Sequence, residues 1–170
     1  MINAQNEMNN FHIVPAGSPE QIQNVRELFI EYARSLNFDL CFQNFDKEVT
    51  GLPGEYTPPD GVLLLAKVDQ KDAGCVALRK IDSSTCEMKR LYLRSEFRGK
   101  GLGRQLAVAV IEEAIKIRYS SMKLDTVPSM KEAIPLYRSL GFREIKPYRL
   151  NPIKNAIYME LDLKIFKGDG

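Results

Sequence analysis

The sequence predicts a mixed α/β fold in a single domain. Short apolar runs with strand character alternate with amphipathic helical patterns along the chain, which is typical of a sheet that packs against helices. The chain has 170 residues, of which 44% are hydrophobic and 27% charged, so one sizeable core can form without disulfides or metals. We expect a flexible tail over residues 1–10, one domain over 11–163 and a second flexible tail over 164–170.

The N-terminal third predicts a strand, a long helix and an irregular aromatic segment. Residues 11–14 are β-prone. Apolar side chains then recur at helical spacing, with start signals at 18–19, and this pattern predicts a helix over 19–36. The segment 38–56 has no clear period, with room for a short helix over 46–52.

The rest of the chain predicts six strands and two helices. A polar turn over 69–74 separates two apolar runs, which indicates a hairpin. Ser129 can cap the last helix and Gly141 can end it. In order, the expected elements are strands over 62–68, 75–81 and 86–93, a helix over 101–118, a strand over 122–127, a helix over 129–140 and strands over 142–148 and 156–163.

The strand over 86–93 changes its apolar face midway. Cys86 and Met88 share one face of the strand, whereas Leu91 and Leu93 share the other. Because side chains alternate strictly along a regular strand, one extra residue is needed to bring these four to the same side. The pattern therefore predicts a one-residue bulge.

Charge and hydropathy exclude several classes of function. The 24 Lys and Arg against 22 Asp and Glu leave a net charge of +2, which is too small for an electrostatic footprint on nucleic acid. No apolar run approaches the ~20 residues of a membrane span, and the polar first ten residues do not resemble a secretory leader. We expect a cytoplasmic protein with no nucleic-acid or membrane partner.

The cysteines and the single histidine make disulfides, zinc sites and histidine-dependent catalysis unexpected. Cys41, Cys75 and Cys86 form no CxxC pair, and His12 is the only histidine. A disulfide framework or a zinc site is therefore not expected. Catalysis by Ser-His-Asp or Cys-His would need His12, which we place on an edge strand.

The most informative segment is the run Arg98-Gly99-Lys100-Gly101-Leu102-Gly103-Arg104 between a predicted strand and a predicted helix. Alternate glycines let backbone N–H groups converge on an anion at the positive end of a helix. A Walker A loop would need Gly where Arg94 stands. A dinucleotide fingerprint would need Gly or Ala at 106 or 104, where Leu106 and Arg104 stand. The loop therefore predicts a different phosphate ligand.

Two blocks of the sequence fit one known family. Arg98-Gly-Lys-Gly101-Leu-Gly103 fits the pattern Arg/Gln-x-x-Gly-x-Gly/Ala, and the block over 133–142 carries a Tyr and ends in Gly-Phe. In these blocks, and in element order over 11–163, the chain resembles the GNAT superfamily of N-acetyltransferases. The resemblance implies a mostly antiparallel sheet flanked by helices, with a bulged central strand that leads into the phosphate loop and its helix.

The resemblance also implies the donor, acetyl-CoA, and the residues that bind it. The backbone of the bulged strand would pair with the pantetheine arm as an added strand would, and the loop would hold the pyrophosphate. The expected cofactor-binding residues are Leu91, Tyr92, Leu93, Arg98, Gly99, Lys100, Gly101, Leu102, Gly103 and Arg104.

For catalysis, the resemblance gives one acid and leaves the base open. In the family the Tyr of the second block protonates the leaving sulfur, and Tyr137 occupies that position, where a core tyrosine is the competing interpretation. A backbone N–H of the bulged strand near Tyr92 would polarise the carbonyl. Glu87 is the first candidate for the base, although an ion pair with Lys89 or Arg79 explains it equally well. Glu55, Tyr56 and Asp39 are the other candidates for the base.

The resemblance implies a primary amine acceptor, a small molecule or a peptide, that attacks directly in a ternary complex without a metal. The irregular segment contains several acidic side chains but only one basic side chain, Lys47. This balance favours a cationic acceptor. The alternative is a CoA-binding regulatory or interaction module without turnover, and a homodimer is compatible with either. The aromatic residues expected near the acceptor are Phe38, Phe42, Phe45, Tyr56 and Tyr148.

The sequence departs from the family pattern at three positions. Ser95 replaces a frequent Pro before the loop, and Met130 stands where many relatives have an Asn that contacts the cofactor. Pro135 falls inside the predicted last helix, where it would introduce a kink. None of the three lies within the loop itself.

Overall fold

The computed structural model describes residues 10–36, 40 and 44–168. The expectations for Phe38, Asp39, Cys41 and Phe42, and for the N-terminal tail up to residue 9, lie outside these residues.

The described chain folds around one seven-stranded sheet. The strands lie in the order β1-β2-β3-β4-β5-β7-β6, and every neighbouring pair is antiparallel except β4 with β5. This confirms the predicted mixed, mostly antiparallel sheet with flanking helices. The elements are β1 (Phe11–Pro15), α1 (Pro19–Ser35), α2 (Phe45–Thr50), β2 (Val62–Val68), β3 (Lys71–Lys80), β4 (Thr85–Leu93), α3 (Leu102–Ile117), β5 (Ser121–Thr126), α4 (Ala133–Leu140), β6 (Arg143–Ile145) and β7 (Ile157–Asp162).

Helix α1 begins at a complete capping box. The Ser18 hydroxyl accepts a hydrogen bond from the Gln21 N–H at 3.1 Å, and the Gln21 side chain accepts one from the Ser18 N–H at 3.0 Å. These bonds satisfy backbone donors that have no partner within the helix. Pro19 occupies the first helical turn, where its missing N–H costs nothing. The local sequence therefore fixes the start of α1.

Helices cover both faces of the sheet, so the domain has two cores. Helices α3 and α4 pack on one face and α1 and α2 on the other. Because side chains alternate along a strand, adjacent residues of β2 enter different cores. Leu64 packs in the core on the α3 side and Leu65 in the core on the α1 side. Phe166, which we expected in the C-terminal tail, packs against the α3 core.

The predicted bulge lies in β4 at Arg90. Cys75 of β3 lies opposite Tyr92, while Ala77 lies opposite Lys89, so β4 has one extra residue between these pairs. Arg90 has a left-handed backbone, with φ of 58°, which a bulge allows and a regular strand does not. As a result, the leucines after the bulge pack on the same core as Cys86 and Met88 before it, and the prediction is confirmed.

Strands β4 and β5 separate soon after they meet. Their parallel pairing covers three residue pairs and ends at Glu87 with Lys123. Beyond that point no β5 residue pairs with the second half of β4. The two strands therefore border an opening in the middle of the sheet.

Three predicted boundaries were wrong. The strand predicted over 142–148 covers only Arg143–Ile145, as β6. Strand β3 begins at Lys71 instead of residue 75, because Asp69 and Gln70 both have positive φ, at 50° and 69°, and form a tight two-residue turn. Helix α4 begins at Ala133, and Ser129 does not cap it. Pro135 consequently lies in the first turn of α4, where proline is tolerated, and Gly141 ends the helix with φ of 105° as expected.

The side chain of Arg90 connects the bulge to α2. Its guanidinium makes two hydrogen bonds to the Glu48 carboxylate, at 2.8 and 3.1 Å, and lies 5.2 Å from the centre of the Phe45 ring. The Arg90 side chain is only 3% exposed. A buried guanidinium without its carboxylate is strongly destabilising.

We predict that Glu48→Ala lowers the free energy of unfolding by about 3–5 kcal/mol, because it leaves the Arg90 charge buried without its counterion. Urea unfolding would measure the loss. The control is Glu113→Ala, which removes the exposed pair with Lys116 on α3 and should cost less than about 1 kcal/mol. Equal losses in the two variants would contradict a special role for the Arg90–Glu48 pair.

Candidate active site

A long cleft follows the opening between β4 and β5. It has a volume of about 460 Å³ and runs from the glycine loop to the start of α4. The second half of β4 forms one wall, and Tyr32 of α1 contributes to the rim. Of the ten residues expected to bind the cofactor, eight line this cleft: Leu91, Tyr92, Leu93, Arg98, Gly99, Gly101, Leu102 and Gly103.

The glycine loop presents bare backbone to the cleft. Gly99 and Gly101 have positive φ, at 80° and 79°, and Gly101 is the N-cap of α3. A Cβ atom added to Gly99, Gly101 or Gly103 would meet no atom within 4 Å. The space in front of the helix N-terminus is therefore open, and its N–H groups favour an anion there.

Of the three basic residues of the glycine loop, only Arg98 lines the cleft. The Arg98 Nε donates to the Leu93 carbonyl at 2.8 Å, and its guanidinium lies 5.8 Å from the centre of the Tyr92 ring. Lys100 and Arg104 do not line the cleft. Arg104 instead donates to the Ser139 hydroxyl of α4 at 2.7 Å, which ties the start of α3 to the end of α4.

A small cavity of about 60 Å³ extends the opening deeper into the sheet and contains Tyr137. The Tyr137 ring is 8% exposed and packs edge-on against Phe142. Burial raises the pKa of the Tyr137 hydroxyl, and the nearby Tyr32 and Asp125 raise it further. The hydroxyl therefore keeps its proton at neutral pH. Met130 lines both this cavity and the cleft.

Asp125 of β5 is the one acid among the described residues that line the small cavity. The Asn151 side-chain amide donates to its carboxylate at 3.3 Å. Lys89 of β4 lies in the opposite wall. Tyr137, Asp125 and Lys89 thus meet where the two strands separate.

Glu87 is fully buried below this point, inside a group of cations. The Arg79 Nε donates to one of its carboxylate oxygens at 2.7 Å, and the Lys89 Nζ lies 3.9 Å from the same oxygen. The Tyr148 hydroxyl donates to the other oxygen at 2.6 Å, and the Arg149 guanidinium contacts it as well. Both oxygens of Glu87 are therefore engaged, so the expected ion pairs exist but are buried.

A second cavity, which we call the cationic cavity, lies between α2 and the segment after β6. Its volume is about 390 Å³. Lys89 lines both this cavity and the small one, so the two are neighbours. Its charged lining residues are Lys47, Glu48, Glu55, Arg79, Lys89 and Arg149.

Burial and neighbouring positive charges perturb two of these groups. Burial, together with the neighbouring Arg90 and Arg79, lowers the pKa of Lys89 to about 8. Burial also lowers the pKa of Arg149 to about 10, with Arg79 acting in the same direction. Burial is the larger cause of both shifts, and the neighbouring cations add to it.

Sequence reasoning missed several residues of the site. Tyr32 has the spacing of a core residue of α1, and Arg149 lies in a segment without any period. Asp125 offered a signal, because it is a carboxylate within a predicted central strand. Among the described residues, no group of His, Cys, Asp or Glu is placed to hold a metal ion, and no helix has the length and hydropathy of a membrane span.

Comparisons with known proteins agree on one family. The sequence pattern of the Acetyltransferase (GNAT) family matches residues 22–142. An uncharacterized N-acetyltransferase of Schizosaccharomyces pombe is 40% identical over 156 residues, which cover 91% of this chain and 96% of the relative.

Solved structures share the fold. An acetyltransferase from Streptococcus agalactiae has a TM-score of 0.75 at 20% identity, over 91% of this chain and 99% of that one. A GNAT family acetyltransferase from Elizabethkingia anophelis with acetyl-CoA bound has a TM-score of 0.63 at 24% identity, over 91% and 99%. The family pattern covers more than half of the chain and the sequence relative nearly all of it, so this chain belongs to the GNAT family of N-acetyltransferases.

Proposed function

We propose that the protein transfers an acetyl group from acetyl-CoA to the primary amine of a small-molecule or peptide acceptor, by direct attack in a ternary complex. The observation that carries the proposal is the continuity of the opening between β4 and β5. It joins the bare glycine loop at one end to Tyr137 and Asp125 at the other. A second cavity reaches the same point from the other side of Lys89, so two substrates can meet there.

The donor fits the cleft through backbone groups. The bare loop accommodates a pyrophosphate, because phosphate oxygens can approach the N–H groups at the start of α3 without meeting a side chain. Leu91 to Leu93 have no strand partner on the β5 side, so their backbone can pair with the pantetheine amides. When bound, acetyl-CoA supplies an activated thioester.

The transfer forms one bond and breaks one bond. The amine nitrogen bonds to the acetyl carbon, and the carbon–sulfur bond breaks with its electron pair on sulfur. The acceptor enters as an ammonium and loses two protons. One leaves through the base to solvent, and the other replaces the proton that Tyr137 gives to the sulfur. At the bulge, Arg90 and Leu91 lie outside the regular ladder, so an N–H there can polarise the carbonyl oxygen.

The structure changes our preferred candidate for the base. Glu87, the first candidate, is buried and has cations on both carboxylate oxygens, which disfavours taking up a proton. Glu55 is 69% exposed and paired with Arg79, and burial raises the pKa of Tyr56. Asp39 lies outside the described residues. We propose Asp125 as the base and Glu87 as a positioning residue.

We predict that Gly103→Val abolishes the rise in melting temperature that acetyl-CoA produces, because its branched side chain fills the space of the phosphates. A ligand present at 100 times its Kd raises the free energy of unfolding by about 2.7 kcal/mol. Differential scanning fluorimetry with acetyl-CoA, ATP and NADH measures the effect, and only acetyl-CoA should stabilise the wild type.

The matched control for that measurement is Gly17→Val. Gly17 also faces open space and has no positive φ, but it lies outside the cleft, so this variant should keep the full response. A Gly103→Val protein that responds like the wild type would show that the phosphates bind elsewhere.

We predict that Tyr137→Phe lowers kcat by ~10²-fold or more while acetyl-CoA affinity stays nearly unchanged, because the ring is kept and only the proton donor is lost. Tyr119→Phe is the control, since it removes a tyrosine hydroxyl outside the cleft that donates to the Asp60 carbonyl at 2.6 Å. It should cost about 1 kcal/mol of stability with kcat unchanged. An unchanged kcat in Tyr137→Phe would leave Tyr137 as a packing residue.

We predict that Asp125→Asn lowers kcat/KM by ~10²-fold near neutral pH and regains activity as the pH rises, because the acceptor amine then loses its proton to solvent. A pH–rate profile tests this, with Asp162→Asn at the exposed end of β7 as the control. If Glu87→Gln shows the recovery and Asp125→Asn does not, Glu87 is the base.

A further inference from the structure

Basic side chains outnumber carboxylates among the described residues that line the cationic cavity. Glu48 is taken up by the bidentate pair with Arg90. Arg79 is shared between Glu55 at 2.9 Å and Glu87 at 2.7 Å. Among the described charged residues that line the cavity or contact its lining, five cations face three carboxylates: Lys47, Arg79, Lys89, Arg90 and Arg149 against Glu48, Glu55 and Glu87.

Three of these cations are largely shielded from water. The side chains of Lys89, Arg149 and Arg79 are 6%, 21% and 26% exposed. All three contact the same carboxylate, Glu87, and Arg79 also contacts Glu55, so three cations crowd around two carboxylates in these contacts. Partly buried cations of like sign raise each other's energy. An anion entering the cavity would relieve this repulsion.

The position of the cavity relates that anion to the reaction. Lys89 lies in the wall between the cationic cavity and the small cavity that contains Asp125 and Tyr137. Arg149 and Arg79 are on the far side of Lys89, in the cationic cavity only. An acceptor that reaches past Lys89 can therefore place its amine near Asp125 and an anionic group among the cations.

We propose that the acceptor carries a carboxylate, as an amino acid does, and that Arg79, Lys89 and Arg149 bind this carboxylate while Asp125 receives the amine. Guanidinium groups match a planar carboxylate with paired hydrogen bonds. The proposal rests on the proposed function, because it names the acceptor class for the same reaction.

The proposal reverses the cationic acceptor that the acidic residues of the irregular segment favoured. Glu48 and Glu55 are indeed in the cavity wall, but Arg90 and Arg79 neutralise them. The basic partners come from β3, β4 and the segment after β6, so the net charge is visible only in the folded protein. The exposed Leu150 at the rim leaves room for an apolar part of the acceptor.

The test compares acceptors with and without a carboxylate. Release of free thiol from acetyl-CoA is measured with L-leucine and L-methionine, with their carboxamides, and with spermidine as a cationic acceptor. We expect turnover with at least one amino acid and a KM about tenfold or more higher for its carboxamide. Turnover of spermidine or the carboxamides in preference to both acids would overturn the proposal.

Variants then assign the effect to the cavity. Arg149→Gln should raise KM for the amino acid about tenfold with little change in kcat, and leave KM for the carboxamide unchanged. Arg149→Lys keeps the charge and should restore most of the affinity, which separates binding from a folding defect. Arg143→Gln, at an exposed arginine on β6, is the control. Equal effects of Arg149→Gln on acid and carboxamide would contradict the proposal.

A binding measurement separates this proposal from the proposed function. Calorimetry with CoA present should detect N-acetyl-L-leucine or N-acetyl-L-methionine but not their carboxamides, and Arg149→Gln should abolish the difference. If no amine releases thiol but the acids still bind, the transfer reaction is wrong and the anion site stands. If neither acids nor carboxamides bind while other amines are acetylated, the anion site is wrong and the transfer reaction stands.

Discussion

The register shift at Arg90 is the constraint on which the rest of the structure depends. One extra residue in β4 moves Leu91 and Leu93 onto the α3 core and leaves the backbone after the bulge without a partner on β5. The left-handed φ that this requires is unfavourable for a side chain as large as Arg. Its bidentate pair with Glu48 and its contact with the Phe45 ring hold the bulge in place. Helix α2 therefore supports the cleft from the opposite face of the sheet.

In our proposal, the two sides of the opening recognise their ligands by different physical means. The cleft uses backbone N–H groups and a helix N-terminus, which attract phosphate without a large net charge. The cationic cavity uses side chains whose charges are partly buried and therefore interact strongly. A chain with a net charge of only +2 can in this way concentrate positive charge beside its proposed reaction centre.

Glu87 shows how burial changes what a carboxylate can do. At a surface it would be an available proton acceptor, but here Arg79, Arg149 and the Tyr148 hydroxyl occupy both of its oxygens. Its negative charge keeps three cations close together at the point where β4 and β5 separate. The exchange of roles between Glu87 and Asp125 in our proposal follows from these contacts.

The sequence by itself determined the order of the elements, the bulge and the glycine loop, because each of these depends on residues that are close along the chain. The start of α1 follows from its capping box, the bulge from the side-chain alternation in β4, and the loop from the alternate glycines at the start of α3. Through the family resemblance it also named eight of the residues that line the cleft. Only the tertiary structure decided which charges meet. Arg79, Asp125 and Arg149 come from three separate segments, and the partners that each of them contacts depend on distances across the sheet and on burial, which no local pattern of residues encodes.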